Sequence, residues 1–202
     1  MPRQSLFAAL GHYSVDVVTG DITAGMASNG ELFQFRWTAD SNLAAIYEIS
    51  VNGMRASTAF AVGAIDIKAT VARGYTASGS GGTALTLTGD EAAMRTNMST
   101  SVVGDARVST TAALTNGTRT LDTQDLGRIT THSSGGVGSA TPIIGSIYLP
   151  TTTLFKANLS SNEYPLILAD NEGFVVRATV PATGVWNLGI RVKWAEVEPS
   201  KF

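Results

Sequence analysis

The chain of 202 residues has no cysteine, which excludes disulfides, thiolate catalysis and cysteine-ligated metals. It has two histidines, His12 and His132, far apart and without an acidic or second imidazole neighbour at ligand spacing. A zinc site needs three or four ligands, so a histidine-centred metal site has little to be built from. Charged residues make up 15% of the chain, against the roughly 25% usual for a soluble domain, which suits a surface partly covered by partners. The net charge is −2 and Lys and Arg form no cluster, so there is no electrostatic footprint for nucleic acid. No apolar run approaches the ~18 residues of a membrane span. The early run Leu6 to Leu10 is too short for a signal-peptide core, so the expectation is a soluble chain without a Sec-type signal.

What the chain has in quantity is Gly, Ser and Thr, together with 44% hydrophobic residues, enough for one sizeable core. The stretch that organises it is Asp170 to Glu198. Phe174, Val176, Ala178 and Val180 share one parity, and after Pro181 to Gly184 so do Trp186, Leu188, Ile190, Val192 and Trp194. Strand side chains alternate between faces, so this spacing predicts a β-hairpin with both indoles on the core side and Asn187, Arg191 and Lys193 outward.

The same alternation predicts further strands. Tyr13, Val15 and Val17 read as an edge strand or extended arm within residues 1–30. Glu31 to Thr38 carries Phe33, Phe35 and Trp37 on one face, and Leu43 to Val51 runs to the turn signal Asn52-Gly53. Between Ala59 and Val71 the parity switches near Gly63-Ala64, as a β-bulge would make it, with a helix as the alternative. Arg73 to Thr83 reads as a small-residue loop, and Asp90 to Met98 as one short helix capped by Asp90. A weakly hydrophobic segment, 99–141, holds a hairpin turn signal at Asn116-Gly117 and a tip at Ser133 to Gly138. Extended runs follow at Ile143 to Leu149, Leu154-Phe155 and Tyr164 to Ala169. Eight or more short strands without a βαβ rhythm imply an all-β fold, an antiparallel sandwich or jelly roll, with residues 31–202 as its single domain.

Catalytic and metal motifs are missing from the sequence. Ser78-Gly-Ser-Gly-Gly82 does not follow the G-x-S-x-G order, and Gly135 to Gly138 lacks the helix and acidic residue of a dinucleotide fingerprint. Asp105, Asp122, Asp125, Asp170 and Glu172 form no EF-hand loop. Asn97-Met-Ser99, Asn116-Gly-Thr118 and Asn158-Leu-Ser160 match the glycosylation acceptor pattern by chance in a Ser/Thr-rich chain. Neither a cofactor nor an enzymatic activity is expected.

Residues 72–89 (ARGYTASGSGGTALTLTG), 93–122 (AMRTNMSTSVVGDARVSTTAALTNGTRTLD) and 172–198 (EGFVVRATVPATGVWNLGIRVKWAEVE) resemble virion structural proteins of tailed double-stranded DNA bacteriophages, among them capsid cement or decoration proteins. The resemblance implies a jelly-roll-like subunit that binds the major capsid protein and its own copies, commonly as a trimer, on the outside of a capsid assembled in the host cytoplasm. A head-fibre or tail module that binds a host-surface glycan or receptor is the alternative. The candidate assembly interface comprises Tyr75, Ser78 and Ser80 in the small-residue loop, and Arg191 and Lys193 on the outward face of the last strand.

Overall fold

The computed structural model describes residues 10–23, 26, 29–58, 61–87, 92–94, 99–133, 151–158 and 163–201. Two antiparallel sheets face each other. The first contains β1 (Gly11–Val18), β11 (Val185–Val197), β3 (Leu43–Thr58) and β8 (Thr152–Lys156) in that order, with β9 (Leu166–Leu168) sharing the edge of β3 beside β8. The second runs β5 (Thr83–Ala84), β6 (Asp105–Val108), β2 (Gly30–Arg36), β10 (Gly173–Thr179), β4 (Gly63–Ala77) and β7 (Thr118–Ser133). The fold is therefore an all-β antiparallel sandwich.

Alternation explains the core. Phe33, Phe35, Phe174, Val176, Ile65 and Ile67 project inward from the second sheet and meet Tyr13, Ile49, Leu188, Ile190, Val192 and Trp194 from the first. The layers are joined by aromatic rings. Trp194 stacks on Tyr13 with centroids 5.4 Å apart and takes Phe35 edge-on at 5.4 Å, while Phe35 stacks on Phe174 at 5.3 Å. Such offset and edge contacts add about 0.5–1.5 kcal/mol each to the burial they accompany.

Several sequence expectations are corrected. The two apolar runs of 170–198 do not form a hairpin: β10 pairs with β2 and β4 in one sheet, and β11 with β1 and β3 in the other. An arch between sheets and a hairpin within one leave the same alternation, because each strand still has one core face; only the partners differ. The parity switch near Gly63 is likewise the passage from β3 in one sheet to β4 in the other. β3 does not stop at Asn52-Gly53; it continues to Thr58, and the ladder absorbs the pair as a register shift opposite Gly189. Asn116-Gly117 joins no hairpin, since β6 pairs with β2 and β7 with β4. Tyr13, Val15 and Val17 do lie on an edge strand, β1, held by β11 along its whole length. Of the expected helix only Ala92 to Met94 are described, and Ala93 there bridges Tyr13; the rest of Asp90 to Met98, the tip beyond Ser133 and the run Ile143 to Leu149 lie outside the described residues.

Candidate assembly surfaces

The outward face of the first sheet carries charges that are paired within the sheet. Arg191 on β11 meets Asp16 on β1 at 2.8 Å, and Lys193 meets Glu48 on β3 at 3.1 Å. Each pair joins residues opposite one another across adjacent strands. Asn52 donates to both Asp16 carboxylate oxygens at 3.3 Å. At these positions the face is a lattice of ion pairs, with no unpaired cation at either expected interface residue.

The outward face of the second sheet is built differently. Opposite β10, Phe33 pairs with Val176 and Glu31 with Arg177, so Leu32 is the extra residue of a bulge. Leu32 joins the core, and Glu31 points to the outer face beside Arg177. The loop 78–82 and the segment 109–119 close over it. Ser80 and Thr115 exchange backbone hydrogen bonds of 3.0 and 2.9 Å, and the Leu114 N–H donates to the Glu31 carbonyl at 2.8 Å. Gly81 and Gly82 take positive φ of 80° and 57° in this loop, a conformation glycine adopts without a Cβ penalty.

Under that cover lies a buried polar cluster. Arg119, at the start of β7, forms an ion pair with Glu31 and donates to the Gly117 carbonyl at 2.9 Å. The guanidinium carbons of Arg36 and Arg119 each lie 5.6 Å from the centre of the Tyr75 ring. Arg36 donates to Ser78 Oγ at 3.0 Å and to Asn171 Oδ1 at 2.7 Å. Gln34 accepts from the Gly79 N–H at 2.8 Å and donates to Asp105 at 3.2 Å. Burial pushes Glu31 up to about 7, against the pull of Arg119 and Arg177, and raises the Tyr75 phenol well above its ordinary value. Further along, Lys68, Arg128 and Arg177 converge on Asp125 at 3.9, 2.8 and 3.4 Å. Burial alone would raise Asp125, but the Thr70 hydroxyl at 2.6 Å, Lys68 and Arg128 hold it below the usual carboxylate range.

The five expected interface residues thus fall on two separate surfaces. Ser80 is exposed at the loop end and Ser78 half-buried beside it, whereas Tyr75 is buried in β4, because the strand runs on to Ala77 where the composition suggested loop. Arg191 and Lys193 lie on the other sheet. Glu31, Gln34, Arg36 and Arg119 were not singled out from the sequence. The available signal was β2 itself, where Gln34 and Arg36 alternate with aromatics and so pass for an ordinary wet face, while Glu31 falls in the parity of Phe33. His12 on β1 and His132 on β7 belong to opposite sheets, and among the described residues no group of three His, Asp or Glu could hold a metal ion. No family model, no curated protein and no solved structure matches the chain.

Proposed function

We propose that this chain is a non-enzymatic structural protein of a tailed-bacteriophage virion, most specifically a cement or decoration subunit that binds the major capsid protein and further copies of itself on the capsid exterior. The observation that carries the reading is that two of the three stretches resembling such proteins converge in space. Residues 72–89 supply β4's end, the 78–82 loop and β5; residues 93–122 supply β6, the 109–119 segment and the start of β7. Together they form the loop end joined by Ser80 and Thr115. That end presents Ser, Thr, Gly and Asn over a pinned polar cluster, a surface on which a neighbour packs closely with little side-chain ordering on binding.

The test is to add purified full-length protein to capsids that lack it and to measure co-sedimentation, oligomeric state and resistance of the capsids to heat. Saturable binding with raised resistance is the expected result. Tyr164, 73% exposed, favours a host-surface binding module, and binding to host cells with none to capsids would replace the cement reading by that one.

A further inference from the structure

The sequence contains three Asn-Gly steps, at Asn29, Asn52 and Asn116, where the missing Cβ of the following glycine leaves its amide nitrogen open to attack the asparagine side chain. The structure treats them very differently. Asn29 sits at φ 55°, its N–H donates to Thr179 Oγ1 at 3.0 Å and its Oδ1 accepts from the same hydroxyl at 3.5 Å. Asn52 lies inside β3, its Nδ2 held by both oxygens of Asp16 at 3.3 Å. Asn116 is exposed in the turn between Thr115 and β7, and among the described residues neither its side chain nor the Gly117 N–H makes a hydrogen bond.

We infer that Asn116 is a site of spontaneous backbone-assisted deamidation, and that conversion there loosens the hold of Arg119 on Glu31. In the first step the Gly117 nitrogen, giving up its proton, bonds to Asn116 Cγ while the Cγ–Nδ2 bond breaks and ammonia leaves. Water then opens the cyclic imide at either carbonyl, yielding aspartate or isoaspartate. Isoaspartate adds a methylene to the main chain one residue before the Gly117 carbonyl that accepts from Arg119 at 2.9 Å. Either product also places a carboxylate three residues from Arg119, a competitor for the guanidinium that pairs with Glu31.

The inference is independent of the proposed function. The test ages the folded full-length protein at mildly alkaline pH and maps isoaspartate by peptide mass spectrometry. Asn116 should convert roughly tenfold or more faster than Asn29 and Asn52, the ratio that a local-opening cost of about 1.4 kcal/mol at those two sites would produce. Asn116→Gln should abolish the fast phase, and hydrogen exchange at residues 115–119 should rise in the converted wild type. Conversion at Asn52 or Asn29 as fast as at Asn116, no conversion at Asn116 on the timescale of an unstructured peptide of the same sequence, or converted protein with unchanged exchange at 115–119 would each overturn it.

Discussion

At the scale of single residues, two buried carboxylates and one glycine have measurable consequences. Glu31 is pushed up to about 7 by burial, and Glu196, which accepts from Ser101 Oγ at 2.7 Å and the Val102 N–H at 3.1 Å, is also raised by burial. In both, the folded state holds a proton more tightly than the unfolded chain. The resulting stability is complete below the ordinary carboxylate value and is lost as pH rises, for Glu31 through about 7. At about 1.36 kcal/mol per unit, Glu31 alone accounts for up to about 3 kcal/mol between about pH 4.5 and pH 8. Urea unfolding should give a higher midpoint at about pH 5 than at about pH 8, with a flatter profile in Glu31→Gln. An unchanged slope in that variant would assign the titration elsewhere. Gly127 is a packing matter: a Cβ there would lie 1.6 Å from the Leu154 carbonyl oxygen, where β7 passes against β8. Backbone cannot rotate aside as a side chain can, so Gly127→Ala should cost about 2 kcal/mol or more in the same assay, as over-packing does.

At the scale of elements, β11 combines an inward row, Trp186 to Trp194, with an outward row of paired polar side chains. Trp194 contacts Tyr13 and Phe35 and is fully buried, so Trp194→Ala should destabilise by about 3–5 kcal/mol. Arg191 pairs with Asp16 where both are more than one-third exposed, and Arg191→Ala should cost under about 1 kcal/mol. Equal losses in thermal unfolding would mean that the outward lattice contributes to the fold as much as the aromatic core. The contrast was legible in the sequence because alternation is a local property: Trp186, Leu188, Ile190, Val192 and Trp194 had to share a face whichever strand lay beside them. Pairing is not local, and so the Pro181 to Gly184 connection read as a hairpin when it spans two sheets. The Leu32 bulge was hidden for a related reason. Alternation puts Glu31 on the face of Phe33, and only the register against Val176 and Arg177 reveals that it lies on the other. Tyr75 was lost among the glycines and serines that follow it, because composition averaged over a window conceals the last large residue of a strand.

At the scale of the whole molecule, the two outer faces make different offers to a neighbour. The first sheet's face carries charges already neutralised in pairs, and a partner must displace or match them at a desolvation cost. The loop end of the second sheet carries Ser80, Thr115, Asn116 and glycines over a cluster whose charges are buried beneath it, so little need be desolvated or ordered when a neighbour arrives. The cement reading therefore locates the contact at the loop end in preference to Arg191 and Lys193. Ser80 is exposed and its bonds to Thr115 run through the backbone, so Ser80→Trp should leave the unfolding transition within about 0.5 kcal/mol while the added bulk blocks close approach. Capsid binding by Ser80→Trp should weaken by about tenfold or more, equivalent to about 1.4 kcal/mol, with Arg191→Ala binding nearly as wild type. The reverse ranking, measured by co-sedimentation with both variants shown to be folded, would move the interface to the first sheet and leave the loop end as a purely structural clasp over Glu31 and Arg119.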